Sequence, residues 1–170
     1  MNTGQLLLTM GGMFLLAMVV LRVNNNFLRT SDIMYSTKYG VLATSLATSI
    51  IEEASGKKFD ANTDTTSLDD VDDLTAPASL GHAWGEQYPF FNDFDDFNNF
   101  TKTDSTLPSA KFNIRCRVVY VEPSGNKIVE VNKRTWYKKL EVMVTSQSMK
   151  TGNRQDTVKL STMFSYWFAR

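Results

Sequence analysis

Leu6-Leu7-Leu8-Thr9-Met10-Gly11-Gly12-Met13-Phe14-Leu15-Leu16-Ala17-Met18-Val19-Val20-Leu21 decides how this chain is read. Thr9 is the only polar side chain in the run, and no charged residue precedes Arg22. The run is a little short of the about 20 apolar residues that a membrane span needs, and its polar flanks extend it. A secretory signal would carry a basic stretch before Leu6 and a small-x-small cleavage site before Arg22; neither is there. A buried core helix is the bland alternative, and the length of the run weighs against it.

Working outward, no proline occurs before Pro77, so nothing forces a break after Leu21. Leu42, Leu46 and Ile50 recur at helical spacing, flanked by Ala43, Ala47 and Ile51, which makes one apolar stripe. Ser55-Gly56-Lys57-Lys58 reads as a stop, with Gly56 suited to a left-handed cap and the lysines to the negative helix end. Gly40 permits a bend at a cost of about 1 kcal/mol. A single helix over 5–54 would be roughly 75 Å long. A rod of that length cannot bury both ends in one small domain. Its apolar end belongs in a bilayer or among copies of itself.

From Lys111 the period changes to two. Phe112, Ile114, Cys116, Val118 and Tyr120 share one face of a strand, with Asn113, Arg115 and Arg117 on the other. Cys116 then reads as a small core residue rather than a reactive thiol. Pro123-Ser124-Gly125-Asn126 marks a turn, and Lys127 to Asn132 a short returning strand. Trp136, Leu140, Val142 and Val144 alternate with Tyr137, Lys139, Glu141 and Met143. After a turn at Lys150-Thr151-Gly152-Asn153, the residues Val158, Leu160, Thr162, Phe164, Tyr166 and Phe168 line one side of a last strand. Short connections imply an antiparallel meander. The fold class expected is α+β: a long N-terminal helix, apolar and then amphipathic, packed on a C-terminal antiparallel β-sheet. Residues 1–55 form the helix, with an apolar part at 5–27 and an amphipathic part at 28–55. Residues 56–110 form an acidic, Phe-rich connecting region, and 111–170 form the sheet.

Net charge is zero, with 18 basic and 18 acidic side chains, but it is segregated. Residues 1–51 carry +2, residues 52–104 carry −10 and residues 105–170 carry +8. Overall neutrality gives no reason to expect nucleic acid as a partner. One cysteine and one histidine, His82, exclude thiolate-rich zinc sites and an intramolecular disulfide. No Ser/His/Asp set, phosphate-cradling loop or paired carboxylates in an apolar pocket supports catalysis, so no enzyme is expected.

The connecting region offers one metal signal. Asp60, Asn62 and Asp64 supply oxygen ligands at the alternating spacing that opens a calcium loop, while Thr65 and Val71 stand where such a loop needs glycine and glutamate. Calcium here competes with a solvated acidic loop, and no other cofactor is expected. Asp69, Asp70, Asp72 and Asp73 could equally meet the basic sheet of a neighbouring subunit. Phe91, Phe94, Phe97 and Phe100 repeat at three among Asp93, Asp95 and Asp96, which reads as a helical turn pinned to the sheet. Asn99-Phe100-Thr101 has the glycosylation pattern.

This order of parts resembles the type IV pilin and pseudopilin superfamily. Two stretches carry the likeness: Ala43 to Glu53 followed by Lys58-Phe59-Asp60, similar to the helix end of minor pilins, and Phe94 to Thr101, similar to their acidic-aromatic segment before the sheet. The family's basic leader has no counterpart before Gly4, and its glutamate at the fifth mature position is met by Gln5 counted from Met1 or Thr9 counted after Gly4. The resemblance implies a structural subunit of an extracellular filament at the cell surface. Such a subunit sits in the cytoplasmic membrane before assembly and polymerises with itself through Leu6, Leu7, Leu8, Met10, Met13, Phe14, Leu15, Leu16, Met18, Val19, Val20 and Leu21. Partners would be other copies, the membrane and a pilus or secretion assembly machinery. The alternatives are a minor pilin or secretion-system pseudopilin that primes such a machine, and a single-pass membrane-anchored binding module.

Overall fold

The computed structural model describes residues 2–63, 68–108, 110–151 and 154–168. The first element is one uninterrupted helix, α1, over Thr3–Ser55. It ends where Ser55-Gly56 predicts, but Gly56 is not in the left-handed region. Its N–H instead donates to Glu52 O at 3.1 Å, and Lys57 N–H to Ala54 O at 3.1 Å, so ordinary turn hydrogen bonds finish the helix. Five strands follow: β1 Thr101–Asp104, β2 Phe112–Ser124, β3 Lys127–Glu130, β4 Tyr137–Thr151 and β5 Arg154–Ser165. The fold is α+β with an antiparallel sheet, as the periodicities require.

The chain divides into two compact units, Met1–Lys38 and Tyr39–Arg170. In the second, the sheet order is β1-β2-β4-β5, with β3 paired to the end of β2. This is not the simple meander expected from short connections. β3 is four residues long and exposed throughout, so it has no apolar face to bury, while the longer β2 pairs with β3 at Val121–Ser124 and with β4 at Phe112–Tyr120. The sheet also begins ten residues earlier than the alternation at Lys111 indicates, because β1 pairs Thr101–Asp104 with Arg115–Phe112.

The inward file of β2 is as read: Phe112, Ile114, Cys116, Val118 and Tyr120 are all buried. They meet Leu140, Val142 and Val144 of β4, Phe164 of β5, and the last four turns of α1. On that helix the buried positions are Ala43, Ala47, Ile50 and Ala54, while Leu42 and Leu46 are half-buried. The contact line thus runs along alanines, whose small side chains let a helix approach a sheet closely, with the leucines closing its flank. Tyr39 meets Phe112 at a ring separation of 6.5 Å. Within the connecting region, Phe59, Leu74, Leu80, Phe91, Phe94 and Phe97 are buried and Phe100 is half-buried, around a short 3-10 turn at Asp95–Phe97. The phenylalanine repeat therefore pins this region to the core.

Candidate functional site: an exposed apolar helix and a buried charge cluster

Every described residue from Asn2 to Thr30 on α1 is exposed. The twelve apolar residues from Leu6 to Leu21 named above are all among them, with Leu15 64% exposed and Leu8 79%. Val23, Phe27 and Leu28 continue the surface. Two of its hydroxyls are turned back onto the backbone: Thr9 Oγ1 donates to Leu6 O and Thr30 Oγ1 to Asn26 O, both at 2.9 Å. The helix is long and apolar enough to cross a membrane, and its most apolar window is wholly unburied. Soluble monomers rarely expose more than a few hundred Å² of contiguous apolar surface. This stretch of α1 is built to be covered.

The second feature lies in the core of the other unit. Lys138 occupies the inward file of β4, in register with Tyr120 of β2 and Phe164 of β5, and is 0% exposed. Its ammonium donates to Asp95 Oδ1 at 2.6 Å, Asp60 Oδ2 at 2.7 Å and Phe59 O at 2.8 Å. The Phe59 and Tyr120 rings stand 4.6 and 5.4 Å away. Each element places one partner. Asp60 follows the helix exit, Asp95 opens the 3-10 turn, and Lys138 comes from a strand paired on both sides.

The carboxyl groups differ in state. Burial would raise Asp60, but the Lys138 ammonium and hydrogen bonds from Asn62 N, Thr75 N and Thr75 Oγ1 outweigh it and hold the carboxyl below its ordinary range. Asp93, 2% exposed, is pushed up to about 8 by burial first and then by the Asp95 carboxylate beside it. Its Oδ1 accepts from Asp95 N at 2.9 Å and Asp96 N at 3.2 Å. Asp96 is raised by burial against hydrogen bonds from Asn92 and Asp93. Tyr120 is raised by burial, then by Asp60 and Asp95, and its hydroxyl donates to Thr75 O at 2.7 Å.

The residues of the calcium signal have these other engagements. Asp60 is the counter-ion of Lys138, and Asn62 donates its side-chain amide to Asp73 O at 2.8 Å; Asp64 lies outside the described residues. Among the described residues no three His, Cys, Asp or Glu side chains converge as a metal site. Asp70 accepts from Asp72 N at 3.0 Å, and Asp72 lies 3.6 Å from Arg134. His82 is exposed and stacks on Phe91 at 6.0 Å. Asn99 of the glycosylation pattern is exposed, at a positive φ of 59°. Cys116 is buried, its thiol pushed up to about 12 by desolvation. No family model, curated protein or solved structure matches this chain.

Proposed function

We propose that the chain is a structural subunit of an extracellular pilin-like filament. Its α1 apolar stretch enters the cytoplasmic membrane first and then a bundle of like helices, leaving β-rich heads on the filament surface. One observation carries the reading: an apolar stretch of Leu, Met, Val and Phe side chains, unburied over its whole length, continues without interruption into a helix end that is core to a folded domain. Fully burying each such side chain contributes about 1.5–3 kcal/mol. Covering them drives either insertion or helix–helix assembly. A membrane alone would satisfy the stretch; the segregated −10 and +8 regions add surfaces for head-to-tail contact, which builds an open polymer.

The test is electron microscopy of material sheared from cells expressing the chain, with sedimentation of the same fraction. Filaments containing the chain are expected, and Leu15→Asp should abolish them, because an unpaired carboxylate in a dry bundle costs several kcal/mol. Chain found only in detergent-extractable membrane, with Leu15→Asp indistinguishable from wild type in assembly, would overturn the filament reading.

A further inference from the structure

Lys138 is held in an arrangement that goes beyond an ion pair. Its nitrogen and the Asp95 carboxylate are 2.6 Å apart, both side chains are buried, and the Phe59 and Tyr120 rings flank the nitrogen. In water, a carboxylate and an ammonium do not condense, because both are stabilised as ions and water is in excess. Inside the core both groups lose that solvation, and the excess of water that favours hydrolysis is excluded. Holding the groups in contact supplies the proximity that an intermolecular reaction lacks. What remains is to move two protons, and two further carboxyl groups stand in place to do so.

We propose that Lys138 and Asp95 condense within the folded head to an intramolecular amide bond, with Asp60 and Asp93 as the proton-transferring groups. Asp60 is the base: ionised and fixed by donors from Asn62 and Thr75, it takes a proton from the Lys138 ammonium across 2.7 Å. Asp93 is the acid: its carboxyl accepts from Asp95 N at 2.9 Å, which holds it next to Asp95, and it carries its proton near neutrality, so Asp95, its neighbour, is the electrophile. The freed Lys138 Nζ attacks Asp95 Cγ as Asp93 protonates an Asp95 oxygen. The nitrogen then gives a second proton back to Asp93. Asp60 returns its proton to the departing hydroxyl, which leaves as water. One C–N bond forms, one C–O bond breaks, nothing is oxidised or reduced, and Asp60 and Asp93 end as they began.

The bond would tie the start of β4 to the connecting segment, and it does not depend on polymerisation; a monomeric head would carry it equally. The experiment is intact-mass spectrometry of the full-length purified chain under denaturing conditions, followed by tryptic mapping. The expected result is a mass lower than the sequence by one water, with peptide 59–102 joined to 135–139, Lys138 uncut, and fragmentation placing the branch on Asp95. Lys138→Arg and Asp95→Ala should each keep the full mass. A wild-type chain at full mass overturns the proposal without reference to any variant. So does a water loss confined to one linear peptide, which would be a cyclic imide, or a branch on Asp60.

Discussion

Lys138 stands where an alternating strand calls for an apolar side chain. Its parity with Trp136, Leu140 and Val142 is visible in the sequence. Its partners are not: Asp60 and Asp95 lie 78 and 43 residues away, and nothing local marks them as neighbours. The same holds for Asp93: the phenylalanine repeat reads as a turn pinned to the sheet, but nothing in it marks the interleaved aspartates as buried. Lys138→Met leaves two buried carboxylates facing each other, and removing one partner of such a group costs about 3–5 kcal/mol. Urea denaturation in mild detergent should show that loss, and adding Asp60→Asn and Asp95→Asn to the variant should recover much of it. The titration of Asp93 sets a second expectation. Raised to about 8, it holds its proton below that pH and loses it above, while Asp60, lowered from 3.8, stays ionised until acid pH. Condensation after refolding, followed as loss of a water's mass with time, should run at a plateau between about pH 4 and 8 and slow above about 8. A rate that rises through pH 8 to 10 would remove Asp93 from the role of acid.

At the scale of elements, α1 was legible from its apolar run, the stripe at Leu42, Leu46 and Ile50 and the lack of a proline between them, and β2 from the alternation from Phe112 to Tyr120. β1 was not legible. Its four residues, Thr101–Asp104, carry no apolar side chain and none is buried, so only pairing with β2 makes them a strand. The helix stripe was legible as a stripe, but its centre was not. Leucines draw the eye at Leu42 and Leu46, whereas the sheet selects the alanines one position on, because close approach leaves no room for a larger group. Ala47→Leu should therefore overpack the helix–sheet contact and destabilise by about 1–3 kcal/mol. Leu46→Ala, on the half-buried flank, should cost less than the 2–5 kcal/mol typical of a buried leucine. Thermal unfolding of the two variants side by side distinguishes them; the reverse ranking would misplace the contact line.

For the whole molecule, the core of the second unit starts at Tyr39, and every described residue before Ser31 is exposed. Removing residues 1–28 should give a soluble monomer by sedimentation with its β signature intact; an aggregated or unfolded product would show that the head needs the apolar stretch. Charge and apolar burial should also separate in the assembled state. Several basic side chains of the sheet are already engaged within the head, Arg117 and Lys139 with Glu130 and Lys159 with Glu141. What remains for neighbours is screened over about 8 Å at 0.15 M salt and contributes about 1 kcal/mol or less per pair. Molar salt should slow assembly yet leave finished filaments pelleting normally, and detergent should dissolve them. Filaments that dissolve in salt and survive detergent would locate the cohesion in surface charge. Anchoring Asp60 to Lys138 also has a mechanical meaning. Tension drawn along α1 leaves the helix at Ser55 and, five residues on, reaches a side chain gripped from the start of β4, a strand that is hydrogen-bonded on both edges. The load enters a strand held between β2 and β5, instead of an edge strand with a neighbour on one side alone. In a filament of the kind proposed, a subunit pulled by its helix is expected to yield between helices before its head unravels.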